Sequence, residues 1–297
     1  MIVIAIKVTI GLCVKDSRDT VQTAIQSVSN QDYPHEALKL VIVNEEKDEQ
    51  ARSCLLNYAL QTDVRTSVFS NQGKGLGAAR QTVVDNAEGD YILWVDDDFV
   101  LEKDFIRQHV EFMDKNPHVG AALAYEAHAV KTLVTILESY LRVITEKMNT
   151  PPNGSFEIFR IKAVKEVGGY DVNIKGAGED LDLYLKISKS GWATARNATS
   201  KYFRKSPPST FKALWRKHFW YGYGNHYLSH KYKIKSHWDL YPPVAFAVGL
   251  RDALKIYPHN LQKKVFLLPL YLLYRTSARL VGYTSAHFDG YGNNISM

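Results

Sequence analysis

The sequence predicts an α/β fold in which a sheet is flanked by helices and followed by a helical tail. Three observations carry this. Short β-branched apolar runs alternate with amphipathic stretches over the first hundred residues, the order expected of a parallel sheet. The apolar run Tyr91-Ile92-Leu93-Trp94-Val95 ends abruptly in three carboxylates, Asp96-Asp97-Asp98, as a buried strand does when it reaches the rim of such a sheet. After Trp238 the composition shifts to two apolar runs, Leu240–Leu250 and Val265–Tyr274, interrupted by Pro242, Pro243 and Pro269.

Element by element, Val8–Val14 is strand-like. Asp19–Asn30 is helix-like, with Val21, Ala24, Ile25 and Val28 on one face. Leu38–Val43 is a second strand, Glu49–Leu60 a helix, Val64–Phe69 a strand, Leu76–Ala87 a helix and Asp90–Val95 a strand. Right-handed crossovers then bring the loops after Val14, Val43 and Val95 to one rim, where a nucleotide would bind. Phe105–Lys115 reads as a helix stopped by Asn116-Pro117, Val119–Tyr125 as a strand and Leu133–Met148 as an amphipathic helix. The turn formers of 149–155 mark a loop. Phe156–Phe159 is a short strand, Ile161–Val167 a short helix, Gly168-Gly169-Tyr170-Asp171 a turn, and Glu179 opens a helix to about Lys189.

With 297 residues, 45% of them hydrophobic and 23% charged, the chain has the composition of a globular protein able to bury a sizeable core. Cys13 and Cys54 make neither a disulfide framework nor a zinc cluster and read as reduced thiols. The apolar start lacks a basic leader and a cleavage site, so a first strand and a cytoplasmic location are expected. The Asn-x-Ser/Thr triplets at Asn153, Asn197 and Asn294 then carry little weight. Net charge is +6 but uneven: Leu183–Trp238 contains no Asp or Glu and is rich in Lys, Arg and aromatic residues. That face suits a phosphorylated substrate, an anionic polymer or a lipid headgroup surface. The tail runs, about ten residues each, fall short of the ~20 a spanning helix needs. They read as a packed helical tail or as a peripheral membrane contact flanked by Lys263, Lys264, Arg275 and Arg279.

Alternate residues of an extended segment point the same way, so Asp96 and Asp98 can converge on one hard divalent cation, Mg²⁺ or Mn²⁺. A diphosphate is the natural partner of such an ion. The plainer reading is a solvated acidic loop or helix cap. For Glu179-Asp180-Leu181-Asp182 it is the favourable placement of acids in a first helical turn. The loop Asn71–Arg80 contains a G-x-G-x-x-A spacing that imitates a dinucleotide fingerprint. However, it follows the third strand rather than the first, and no second nucleotide-binding half accompanies it.

In order, these pieces resemble the family 2 glycosyltransferases. Val8–Asp16 is similar to that family's opening strand and loop, and Gln31-Asp32-Tyr33-Pro34 to its Q-x-Y/F-P turn. Asn71–Arg80 resembles its N-x-G…A-R segment, Asp96-Asp97-Asp98 its D-x-D motif, and Gly168–Asp171 with Gly178–Leu183 its G-G-[FY]-D and E-D pair. The resemblance spans about residues 8 to 225. It implies a GT-A fold, a Rossmann-like mixed sheet, with a catalytic domain at 1–225 and a basic, apolar helical tail at 226–297. It further implies inverting transfer of a single sugar from a nucleotide-diphosphate sugar. Donor contacts would come from Val14, Lys15, Asn44, Arg80, Asp96 and Asp97, with Mn²⁺ or Mg²⁺ on Asp96 and Asp98 and Asp180 as base. Asn44 stands where many relatives carry Asp, and Phe203 where they often carry a metal-binding His, leaving Arg204 or Lys205 as fixed positive charge. The Q-x-x-R-W of processive synthases is absent from Leu214–Trp220. A glycan or a polyprenyl-phosphate-type acceptor suits the basic, apolar second half, and nucleic acid is not the expected partner. The rival readings are a nucleotidyltransferase and a catalytically silent protein that binds a nucleotide sugar or an anionic polymer.

Overall fold

The computed structural model describes residues 5–14, 19–44, 49–71, 75–127, 131–147, 157–234 and 240–291. Among them an eight-stranded mixed sheet forms, in the order β3-β2-β1-β4-β7-β6-β8-β5. The strands are β1 (Val8–Val14), β2 (Leu38–Asn44), β3 (Arg65–Ser70), β4 (Tyr91–Trp94), β5 (Phe99–Leu101), β6 (Val119–Ala127), β7 (Ile158–Arg160) and β8 (Ala193–Arg204). The first four run parallel; β7 is antiparallel to β4 and β6, and β8 is parallel to β6 and antiparallel to β5.

The twofold period of the strands divides the core into two. Val8, Ile10, Leu12 and Val14 join Leu38, Leu40 and Ile42 in one apolar cluster, while Val41, Val43, Ile92 and Trp94 belong to another. Helices α1 (Asp19–Ser29), α2 (Glu49–Ala59) and α4 (Phe105–Lys115) supply the first cluster. Helices α3 (Leu76–Asp85), α6 (Ile161–Glu166) and α7 (Glu179–Lys189) supply the second.

Every strand and helix expected before Lys189 is present, with ends shifted by a few residues. Two strands were not expected. β5 is three residues long, too short to leave a period. β8 is polar at most positions and presents no apolar run, because much of its length is only partly covered.

The chain divides into two compact units: 1–127, 151–175 and 179–205 form the sheet-bearing unit, and 128–150, 176–178 and 206–297 form a helical one. The helical unit contains α5 (Leu133–Lys147), α8 (Phe211–Lys231), α9 (Pro242–Asn260) and α10 (Leu268–Phe288). Residue 225, the end of the expected catalytic segment, lies within the unbroken α8. Val134, Leu137 and Tyr140 of α5 pack with Leu214, Ala253, Ile256, Val265, Leu268 and Tyr271. Gly222 of α8 and Gly282 of α10 let these helices approach so closely that a Cβ on either would collide with a backbone carbonyl of the other. Pro242, Pro243 and Pro269 stand in the first turns of α9 and α10, where a missing N–H breaks no helical bond, so these three start the helices rather than interrupt them, whereas Pro258 lies inside α9. No helix among the described residues is long and apolar enough to cross a membrane.

Candidate active site

The site is built on the carboxyl ends of β1, β2 and β4. Val14 and Asn44 are register partners at the last positions of β1 and β2, both buried. Asn44 also offers its carbonyl to the Asn71 N–H at 2.8 Å, which ties the glycine-rich loop to the rim. Lys15, Gln72, Gly73, Lys74, Asn153 and Asn294 lie outside the described residues. Beyond β4, Val95 N–H donates to Gly11 O at 3.0 Å and Phe99 N–H to Asp96 O at 3.0 Å, so Asp96-Asp97-Asp98 forms the turn into β5.

That turn faces β8. Phe99 is the register partner of Arg204, and Lys205 N–H donates to Asp98 O at 2.8 Å. The Arg204 guanidinium is thereby carried over the Phe99 ring at 4.6 Å and into the acidic turn. Its Nη1 donates to Asp98 Oδ1 at 2.7 Å and its Nη2 to Asp96 Oδ2 at 3.2 Å, while Nε lies 3.4 Å from Glu126 Oε1. Asp96 and Asp98, expected to share a divalent cation, here share the Arg204 guanidinium. Burial raises the Asp98 pKa against the lowering pull of Arg204. Among the described residues no group of three His, Cys, Asp or Glu side chains is arranged to hold a metal. The chemistry of the donor set still fits Mg²⁺ or Mn²⁺: two carboxylates of one turn supply hard oxygen ligands, and such an ion fills the rest of its shell with water and phosphate oxygens. Phe203, on the neighbouring β8 position, is exposed.

Arg80 joins the two acidic segments. α3 begins at Gly75, whose φ of +88° and closeness to the Lys175 backbone leave no place for a side chain. The helix then lies against the turn after Gly169, where Gln81 Oε1 accepts the Tyr170 N–H at 2.7 Å. The buried Arg80 guanidinium sits over the rings of Trp94 (5.1 Å) and Tyr170 (5.8 Å), 3.5 Å from Glu179 and 3.8 Å from Asp96. Asp180 stands in the first turn of α7, its Oδ1 accepting the Leu181 N–H at 2.7 Å, within electrostatic reach of Arg80. Arg80, Asp96 and Asp180 are thus brought into one neighbourhood.

Several residues around this site were given no role of their own from the sequence. Burial pushes Glu179 up to about 7 despite Arg80. Glu157, just before β7, is fully buried and pushed up to about 8, although the Ala124 N–H donates to it at 2.6 Å. Glu126 and Tyr170 also contribute. Glu179 is visible in sequence as half of the Glu-Asp pair, whereas Glu126 and Glu157 carry no local signal because only strand pairing brings them here.

Two family descriptions match the chain. A model of glycosyl transferase family 2 covers residues 9–165, and one of glycosyl transferase family group 2 covers 91–278. The chain belongs to glycosyl transferase family 2. Among similar family members, poly(ribitol-phosphate) beta-N-acetylglucosaminyltransferase TarS of Staphylococcus aureus is 23% identical over 101 residues, 34% of this chain and 18% of TarS. Glucomannan 4-beta-mannosyltransferase 2 of Arabidopsis thaliana is 22% identical over 228 residues, 69% of this chain and 42% of that protein. The chain thus spans well under half the length of these curated relatives. Among solved structures, the mannosyltransferase PcManGT from Pyrobaculum calidifontis, in complex with GDP-Man and Mn²⁺, superposes with a TM-score of 0.63 at 16% identity. It covers 97% of this chain and 82% of that one. The GT-A fold is therefore shared.

Proposed function

We propose that this family 2 glycosyltransferase transfers a single sugar, with inversion, from a nucleotide-diphosphate sugar to an acceptor hydroxyl or phosphate. The observation that carries the reading is the convergence of Asp96 and Asp98 on one cationic centre at the rim formed by β1, β2 and β4. Asn44, with both donor and acceptor groups, is assigned to the nucleobase side with Val14 and Lys15, and Asp97 and Arg80 to the donor. Mg²⁺ or Mn²⁺ held by Asp96 and Asp98 would offset the charge that gathers on the β-phosphate as the sugar leaves. The GDP-Man and Mn²⁺ bound by the Pyrobaculum neighbour support this assignment.

Asp180 is assigned as the base. It takes the proton from the acceptor hydroxyl as that oxygen attacks C1 opposite the leaving diphosphate, and one displacement inverts the anomeric centre. Arg80 holds Glu179 and Asp96 on either side and so keeps α7 and the acidic turn at a constant spacing.

The acceptor is assigned to a glycan or polyprenyl-phosphate lipid met at an anionic membrane face. On the helical unit, α9 exposes Val244, Leu250 and Leu254, and α10 exposes Leu270, Leu280 and Val281. The exposed cations Lys255, Lys263 and Lys264 stand between them in the sequence, while Arg251 pairs with Asp252 at 2.8 Å. The residues assigned to the donor and to the base all precede 225; the surface assigned to lipid follows it.

Calorimetric titration of UDP, GDP, CDP and dTDP sugars tests the donor reading, with and without Mn²⁺, on wild type and Asp98→Ala. One nucleotide class is expected to bind, requiring both Mn²⁺ and Asp98. Binding of none, or binding indifferent to Asp98, overturns it.

A further inference from the structure

Arg204 reaches from β8 into the acidic turn, and its geometry has a consequence for what those carboxylates can bind. Its side chain is held from three sides: by the β5–β8 pairing that sets it opposite Phe99, by the Phe99 ring beneath it, and by Glu126 at its Nε. The two Nη atoms are spent on Asp98 and Asp96, one carboxylate each. A guanidinium in this position already offsets one of the two negative charges of the pair. A divalent ion drawn to the same carboxylates meets a fixed positive charge between them, beside a largely buried Asp98 and a half-exposed Asp96.

We infer that Arg204 is the resident counter-ion of the Asp96–Asp98 pair and makes metal capture conditional on a nucleotide diphosphate. This rests on the assignment of a divalent cation to those two carboxylates. With metal alone, the ion must displace the guanidinium and leave it beside a like charge. With a diphosphate present, the displaced Nη groups have phosphate oxygens to take in exchange, a geometry that guanidinium matches in two-pronged fashion. The Glu126 contact at Nε provides the pivot, because it does not involve the atoms that must let go. The result is positive coupling between metal and nucleotide, and coupling is reciprocal. The free site is thereby protected from filling with a metal that has no substrate attached.

The test reads metal occupancy rather than turnover. Free Mn²⁺ is followed by electron paramagnetic resonance as it is titrated into the full chain, wild type and Arg204→Gln, alone and with UDP or GDP. Arg204→Gln is expected to bind Mn²⁺ alone about tenfold more tightly than wild type, and the gain on adding nucleotide is expected to shrink by a similar factor. Adding Asp98→Ala to Arg204→Gln should abolish that tight binding; if it persists, the ion sits elsewhere and the inference is overturned. Equal or weaker Mn²⁺ affinity in Arg204→Gln, with wild type still binding Mn²⁺, overturns the inference and leaves the metal assignment standing. No Mn²⁺ on either protein, with or without nucleotide, removes the metal assignment and the inference with it. Circular dichroism reports folding. If Arg204→Gln unfolds, Arg204→Lys carries the test, since an ammonium keeps the charge but cannot span both carboxylates; its expected gain is about threefold.

Discussion

Arg80 Nη1 lies 3.5 Å from Glu179 Oε1, and both side chains are buried. A buried pair of this kind contributes little over an apolar replacement, but losing one partner strands the other charge. Because burial already holds Glu179 up to about 7 and Arg80 lowers it, Arg80→Met is expected to destabilise the protein in urea unfolding more at pH 9 than at pH 6, and Arg80→Met with Glu179→Gln to lose that pH dependence. Equal losses at the two pH values in Arg80→Met would show that Glu179 is held by something other than Arg80.

Asp180→Asn keeps the size of the side chain and its bond from the Leu181 N–H but removes the basic oxygen. Transfer is expected to fall by ~10²-fold or more with donor affinity unchanged. Unaltered turnover would move the role of base to another group, and Glu179 is the first to examine.

Glu157 gives a pH dependence with a defined sign. Its carboxyl titrates near 4.5 when exposed and is pushed up to about 8 by burial. Between those values the folded state keeps a proton that the unfolded state has released, so stability falls as pH rises through this window and levels off above it. Glu157→Gln removes that slope. The stability difference, variant minus wild type, is expected to grow by about 2–4 kcal/mol from pH 5 to pH 8. Parallel denaturation midpoints at the two pH values would show that Glu157 is ionised in the folded protein.

The lipid-facing assignment is tested with outward substitutions. Truncation would remove Ala253, Ile256, Val265, Leu268 and Tyr271, which form the core of the helical unit. Leu254 and Leu270 are 59% and 58% exposed, so Leu254→Glu with Leu270→Glu leaves that core intact. Sedimentation with phosphatidylglycerol vesicles is expected to weaken by tenfold or more, from lost apolar insertion and added repulsion. Unchanged sedimentation would exclude this face.

Sequence patterning reached far into this fold because most of its elements announce themselves locally. β1, β2 and β4 are apolar runs of strand length, and α1 and α4 show a single apolar stripe. The Asp turn was legible for the same reason, since it is the abrupt end of β4. What escaped depends on pairing across long stretches of chain. Arg204 reaches Asp98 only because β8 lies antiparallel to β5, and neither strand has a periodic signature. Glu157 meets the Ala124 N–H through the β6–β7 pairing. Such partners have no spacing rule in the sequence and emerge only with the topology.

The early position of α5 in the chain governs the order in which the protein can be made. Val134, Leu137 and Tyr140 leave the ribosome well ahead of Leu214 and more than a hundred residues ahead of Ala253, Ile256, Val265, Leu268 and Tyr271, the side chains that pack with them. While the sheet gathers strands from both sides of this excursion, the apolar stripe of α5 waits for most of its partners within the helical unit. During synthesis, at roughly 5–20 residues per second, that interval lasts several seconds. A nascent chain of this protein therefore offers chaperones a defined client segment, and a ribosome stalled before Ala253 releases a product whose sticky surface is α5.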